Sequence, residues 1–344
     1  MKKLVRLLAV LFLLIVCAGV GGYVYLKQQF RIPHSSGTGP VVIEISKGSG
    51  TREVVRLLHE RNLILNEYVA LGYLALTGSR GKLRAGEYMF DMPMTVGEVL
   101  EKIASGKVNL HKFTVPEGLT VADTATRWQE QGFGSAEGFL SAARQSVSLI
   151  RDLDEDADSL EGYLFPETYL FPSRTTPAQA IAAMVGRFHD VIEKLHQRIP
   201  GDQWPSNLHQ AVILASIVES EAAHDDERAT IASVYQNRLK KHMLLQCDTT
   251  VIYALEREHR YRGTLTFKDL KFNSGYNTYV TPGLPPGAIM NPGLESLAAA
   301  FKPATTNYIY FVRTNGGHHT FSETLAAHNK AVAQYHAMMR SQSK

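Results

Sequence analysis

Residues Leu4 to Leu26 form a nearly unbroken apolar run, interrupted only by Arg6 near its start. As a helix, such a run is about as long as the hydrocarbon core of a bilayer is thick, so whatever follows it is a body that works beside a membrane. A cleavable signal peptide is the competing reading, but the run outlasts a typical signal core and no small-x-small site closes it. Cys17 invites a lipidation reading. Val16, however, fills the position before it where such signals carry Gly, Ala or Ser, and Cys17 reads as a small apolar residue of the span. Lys2, Lys3, Arg6 and the amino terminus precede the run, and Lys27 and Arg31 follow it. That bias puts the amino end in the cytoplasm and the body on the periplasmic or external side of the inner membrane, held by one helix.

Composition narrows what that body does. The 344 residues suffice for two modest domains, and 44% hydrophobic with 20% charged is an ordinary globular mixture. Lys+Arg at 36 against Asp+Glu at 33 leaves +3, without the one-sided basic surplus of a phosphate-tracking protein, so nucleic acid is not an expected partner. With Cys247 the only thiol outside the apolar run, neither a disulfide framework nor a multi-thiolate metal site can be built.

The expected layout is a tip and anchor over 1–31, a Gly/Ser/Pro linker over 32–40, a small α+β region over 41–150 and a second α+β domain over 154–344. Between Val41 and Gly134 one pattern recurs: a strand-like run, a turn, a Thr and an amphipathic helix. Its copies start at Val41 to Ile45 with Thr51, at Glu87 to Phe90 with Thr95, and at Lys112 to Val115 with Thr120. Thr95 with Glu98 and Thr120 with Asp123 have capping-box spacing, which predicts helix starts there. Gly86 to Phe90 running into Thr95 to Gly106 resembles the LysM carbohydrate-binding fold; a packing and spacer region is the plainer alternative.

Further on, Leu160 to Tyr169 crowds aromatics, Pro166, Glu161 and Glu167 into ten residues. Such a mixture suits a sugar cleft, with rings against pyranose faces and carboxylates for hydroxyls, and it equally suits a buried turn. A long helix is predicted from Pro177 to Ile199. In the segment Asn207 to Glu221, Ser216 is the only polar residue between Ala211 and Val218, so a buried helix is expected on every face. Glu219 follows at once. A carboxyl desolvated at the negative end of its helix would hold its proton, as a general acid for glycosidic cleavage must; the bland reading is a Glu turned to solvent. Glu221 points to nearly the opposite side of the helix, so the two supply no local carboxylate couple.

Ile217 to Glu221, Asn237 to Leu239, Gln246 with Asp248, Val251 to Tyr253, Asn277 to Tyr279, Gly283 to Ile289, Pro292-Gly293, His319 to Phe321 and His328-Asn329 resemble, in order, the MltG (YceG-like) endolytic murein transglycosylases. The resemblance extends from the anchor to the carboxyl end. It implies that Glu219 is the catalytic residue, with Glu161, Glu167, Tyr169, Glu221, Asn237, Gln246, Asp248, Tyr253, Asn277, Tyr279 and His319 as candidates for substrate binding. It also implies peptidoglycan glycan strands as substrate, peptidoglycan synthases (penicillin-binding proteins) as partners, and no metal or other cofactor. Cys247 and Thr249 around Asp248, and His318 before His319, depart from the family pattern.

The implied chemistry is lytic. Glu219 would protonate the bridging oxygen after N-acetylmuramic acid, then recover the proton from that sugar's own C6 hydroxyl, leaving a 1,6-anhydro end and terminating a growing strand. Because the attacking hydroxyl belongs to the same sugar, no second carboxylate is needed to prepare a water. Two other classes stay open. Glu221 with His224 and Glu256 with His259 are E-x-x-H pairs of the di-iron kind, although the other helical ligands are missing. A non-catalytic, membrane-tethered glycan-binding or scaffold protein is the other.

Overall fold

The computed structural model describes residues 2–35 and 39–342; positions 36–38 of the expected linker lie outside the described residues. Two compact units divide the chain, Met1–His111 with Leu170–Ser173, and Lys112–Tyr169 with Arg174–Lys344. The class is mixed α+β, with three two-stranded sheets among the described residues.

The first unit begins with α1 (Lys2–Gln29), followed by β1 (Val41–Ile45), α2 (Thr51–Glu60), α3 (Glu67–Leu76), β2 (Gly86–Phe90) and α4 (Val96–Ser105). Within α1, Arg6–Gln29 is long and apolar enough to cross a membrane. Its carboxyl end is seated on the folded part of the unit, where Leu26 and Phe30 pack on the core and the Phe30 ring meets Tyr73 edge-on at 5.1 Å. Strands β1 and β2 pair antiparallel, Val41 opposite Phe90 and Ile45 opposite Gly86. Their alternation turns Ile43, Ile45, Tyr88 and Phe90 inward, against Val55 and Leu58 of α2, Leu74 of α3 and Val99 and Ile103 of α4.

Thr95 caps α4 with Glu98 in the predicted capping box, and the helix ends on Gly106 at φ 70°. The first copy of the repeat differs. Thr51 is already inside α2 and Gly50 holds the cap position, because Thr51 lies one residue further from the end of β1 than Thr95 does from the end of β2.

The second unit holds β3 (His111–Thr114) from Lys112 on, α5 (Val121–Glu130), α6 (Ala136–Gln145), β4 (Thr168–Phe171) up to Tyr169, α7 (Pro177–Arg198), α8 (Leu208–Glu221), α9 (Asp225–Lys240), α10 (Asp248–Arg257), α11 (Leu294–Phe301), the hairpin β5 (Tyr310–Arg313) and β6 (His319–Ser322), and α12 (Leu325–Gln342). Thr120 caps α5 with Asp123, as the spacing predicts. Trp128 of α5 is fully buried among Phe113, Phe133 and Phe139. The long helix predicted after residue 176 is α7, capped by Thr176 with Pro177 in its first turn.

Helices α8, α9 and α11 pack on one another, and every residue of α8 from Ala211 to Val218 is buried. Ser216, its single polar residue there, is fully satisfied: its hydroxyl donates to the Ile213 carbonyl at 2.8 Å and accepts the Ile289 N–H at 3.1 Å. This packing brings the carboxyl end of α8 to the amino end of α11.

Candidate active site

Glu219 lies in the last turn of α8. Its Oε2 accepts the N–H of Gly293 at 3.0 Å, and Gly293 is the N-cap of α11. The carboxyl therefore faces the positive end of a second helix. From α9, Arg228 brings Nη1 to 3.3 Å from the same oxygen, with both side chains less than a tenth exposed. Arg228 is itself held by Asp225 at 2.9 Å and by the Ser296 hydroxyl. The other oxygen of Glu219, Oε1, makes no hydrogen bond among the described residues. These surroundings differ from the sequence expectation of an acid alone at the negative end of its own helix. The reason is tertiary: α9 and α11 deliver a guanidinium and an N–H that no local pattern announces.

A second carboxyl, which the sequence reading did not single out, stands at the same place. Glu117 follows β3 in the turn Val115-Pro116-Glu117-Gly118. It packs so closely on Gly293 that a Cβ there would lie 1.9 Å from its Oε1. Burial and the Glu219 charge raise its pKa, with Arg228 opposing. Asn291 fixes this corner. Its side chain accepts the N–H groups of Gly162 and Leu164 and donates to the Leu119 carbonyl, while its backbone exchanges bonds with Gly118 and Leu119.

Glu161 is stitched in beside it, accepting the Val121 N–H at 2.9 Å and the Tyr253 hydroxyl at 3.2 Å. Burial pushes its pKa up to about 8. Of the two readings of Leu160 to Tyr169, the packed turn describes Leu160, Tyr163, Leu164 and Phe165, all buried.

On the far side of α8, Glu221 joins a different group of predicted residues. A cavity of about 290 Å³ is lined by Glu221, Gln246, Asp248 and Tyr279 together with Tyr235, Arg238 and His328. A neighbouring one of about 330 Å³ is lined by Glu221, His319 and Arg313. Glu221 is raised by burial, against the thiol hydrogen bond from Cys247 at 3.1 Å. The Tyr279 hydroxyl donates to Asp248 at 2.6 Å, and burial with that bond pushes Tyr279 up. His319 is paired with Glu227 at 2.9 Å. His328 stacks on Tyr310, and its Nδ1 is buried with no hydrogen-bond partner among the described residues; burial and Arg238 lower its pKa.

The residues that depart from the family pattern are absorbed into these contacts. Thr249 hydrogen-bonds Ser220 and Cys247, and His318 stacks on His224 at 3.9 Å.

Other candidates are committed elsewhere. Asn277 is fully buried and its amide donates to the Leu270 and Phe272 carbonyls. Asn237 donates to the Thr306 and Tyr308 carbonyls. The Tyr169 hydroxyl donates to the Phe165 carbonyl, and Glu167 pairs with Arg187. Tyr253 serves Glu161. As for the E-x-x-H pairs, no group of three or more His, Cys, Asp or Glu among the described residues is placed to hold a metal ion. Arg228, Glu117, Asn291, Arg238 and His328 belong to the site region and were missed as site residues. The Pro-Glu-Gly turn ahead of a capped helix, the Asn237 to Leu239 motif that contains Arg238 and the His328-Asn329 motif offered a signal.

A profile of the YceG-like family matches residues 43–334. The chain is 30% identical over 330 residues to the endolytic murein transglycosylase of Bacillus subtilis (strain 168), covering 92% of this chain and 90% of that one. It is 26% identical over 362 residues to the endolytic murein transglycosylase of Streptococcus pneumoniae serotype 2 (strain D39), covering 97% of this chain and 65% of the relative. A crystal structure of a yceG-like protein from Listeria monocytogenes superposes with a TM-score of 0.57 at 32% identity, over 86% of this chain and all of that one.

Proposed function

The chain belongs to the YceG-like family, and on that premise we propose that it is a membrane-anchored endolytic murein transglycosylase that cuts glycan strands with Glu219 as its acid and base. It is a lyase-type enzyme, in keeping with curated relatives named endolytic murein transglycosylase. The observation that carries the reading is the placement of one buried carboxyl. Glu219 has Oε2 fixed by the Gly293 N–H and by Arg228, and Oε1 left without a hydrogen bond among the described residues.

The steps follow from that placement. Glu219 gives its proton to the oxygen bridging N-acetylmuramic acid to the next sugar; the C1–O bond breaks and the leaving sugar departs as an alcohol. Arg228 and the α11 amino terminus stabilise the carboxylate so formed. The C6 hydroxyl then bonds to C1 and returns its proton to Glu219, which leaves a 1,6-anhydro end and an enzyme unchanged.

Glu221, Gln246, Asp248, Tyr279 and His319, with Arg238 and His328, are proposed to line glycan subsites. A polar cavity with an unpaired imidazole nitrogen suits hydroxyl and acetamido groups. Asn237, Asn277, Tyr169, Glu161, Glu167 and Tyr253 act by holding that frame.

The remaining proposals concern placement. The α1 span is proposed to cross the inner membrane once with its amino end in the cytoplasm, so that the body works outside beside peptidoglycan synthases and ends nascent strands. The antiparallel β1 and β2 with α2 and α3 between them are compatible with a LysM-like glycan module.

Digestion of purified murein with the full chain, followed by mass analysis of the fragment ends, tests the reading. Internal cuts with anhydro ends are expected. Reducing ends carrying an added water would replace the lytic mechanism with hydrolysis.

A further inference from the structure

The site holds two carboxyl groups where the chemistry above uses one. Glu117, from the turn after β3, and Glu219, from the end of α8, both stand against Gly293 at the start of α11. One accepts its N–H and the other packs on its α-carbon. Gly293 adopts φ −78°, which any residue can adopt, so what demands glycine there is the carboxyl lying on it. The adjoining Gly118 brings its own backbone against Glu219: a Cβ at Gly118 would be 3.9 Å from the Glu219 Cγ. Arg228 faces both acids, and Asp225 of α9 and Glu295 of α11 add further negative charge around Glu117.

We propose that Glu117 is a positioning residue of the transglycosylase reaction, which competes with Glu219 for Arg228 and the α11 amino terminus and thereby keeps Glu219 able to carry the proton that cleavage consumes. A guanidinium and a helix N-terminus by themselves favour a permanent carboxylate, which is a base but no acid. Glu117 sets a second negative charge beside Glu219 against the same glycine and facing the same guanidinium, and like charges so placed favour the protonated form of the acid that faces them. When Glu219 delivers its proton to the bridging oxygen, Arg228 and the helix terminus are already in place for the charge it acquires. When the C6 hydroxyl proton returns, the pair is restored. Glu117 makes and breaks no bond to the sugar, and its burial with the Glu219 charge already raises its own affinity for a proton.

The inference rests on the assignment of Glu219, and the test separates the two. Anhydro-end formation by the full chain in detergent is measured on murein across pH for the wild type, Glu117→Gln, Glu117→Asp and Glu219→Gln. Glu117→Gln keeps the side-chain shape and deletes a buried charge. It is expected to fold, to cleave at neutral pH about tenfold or more slowly, and to lose activity on the alkaline side about one pH unit earlier than the wild type. Without the Glu117 charge beside it, the remaining acid faces Arg228 with less repulsion to favour its protonated form.

Glu117→Asp retains the charge but withdraws it from Gly293, and its profile should fall between the two. A wild-type rate and profile in Glu117→Gln overturns the proposal, and so does a uniform fall at every pH, since that is what a merely structural role gives. Should Glu117→Gln not fold, a Glu117→Asp profile with the wild-type alkaline limb overturns it equally. If Glu219→Gln is dead while Glu117→Gln behaves as wild type, only the role of Glu117 fails. If Glu219→Gln still cleaves, the assignment of Glu219 fails first.

Discussion

Arg228 Nη1 stands 3.3 Å from Oε2 of Glu219, and each side chain is nearly hidden from solvent. An ion pair in that setting is costly to break from one side, because the charge left behind is buried without compensation. Arg228→Ala strands Glu219 and Glu117 together. It should lower stability by on the order of 3 kcal/mol, read as a fall in the urea midpoint, and cut cleavage sharply. Combining it with Glu219→Gln should cost less than the two single changes added, since the second change removes the stranded charge.

The same pair sets the sign of the stability change in Glu219→Gln. A lone desolvated acid replaced by an amide would gain stability. Here the amide can still accept the Gly293 N–H but no longer balances Arg228. A modest loss is expected, on the order of 1 kcal/mol because Asp225 also neutralises the guanidinium. Thermal midpoints of the purified chain decide the sign.

Gly293→Ala places a methyl group where the Glu117 carboxyl lies, 1.9 Å from Oε1. Cleavage should fall by about 10² or more, as expected when an acid and its donors are displaced. The combined Glu117→Ala and Gly293→Ala chain should regain the stability of Glu117→Ala, which thermal melts of the three variants would show. Gly118→Ala is a different case. There the backbone sits at φ 78° with nothing closer than 3.7 Å to the added carbon, so its cost is conformational, about 1 kcal/mol.

What could be read from the sequence was what local chemistry decides. The capping boxes at Thr95 and Thr120 need four consecutive residues each, and both formed where their spacing put them. The start of α7 at Thr176-Pro177 is equally local. Glu219 was picked out because an apolar segment leads into it. Its partners were not, since Gly293 lies 74 residues away and is brought up only by the packing of α11 on α8. Asn277 shows the opposite failure: an amide beside a Pro/Gly run looks like a ligand reader, but the turn it sits in needs that amide for two backbone carbonyls. Glu117 was hidden in a turn that the strand and helix patterns on either side seemed to explain.

Glu161 gives a stability effect with a definite sign. Its pKa is raised to about 8 by burial, so the folded chain binds that proton more tightly than the unfolded chain does. Its contribution is fully present below the ordinary carboxylate range and is lost as pH rises toward about 8. Glu161→Gln removes this dependence. The stability of the variant relative to wild type, read from melting temperatures, should therefore rise between about pH 5 and about pH 8.5, by on the order of 4 kcal/mol. A constant offset across that window would mean that the carboxyl is already ionised in the folded state.

Cys247 is buried, with its thiol donating to Glu221. Serine can make the same hydrogen bond, so Cys247→Ser should change the thermal midpoint little, by less than about 1 kcal/mol, equally with and without reductant. A redox-dependent shift would reveal an intermolecular disulfide through this residue.

The measurement that bears most directly on the account is murein cleavage by the full-length Glu219→Gln chain, compared with wild type by the mass of the fragment ends. The substitution keeps the volume of the side chain and an acceptor for Gly293 while deleting the transferable proton. Anhydro-ended fragments should fall by about 10² to 10⁴ in rate while the variant still melts cooperatively and still sediments with murein. Release of anhydro ends at near the wild-type rate would contradict the assignment of Glu219 and return Glu221, Glu161 and Glu167 to consideration.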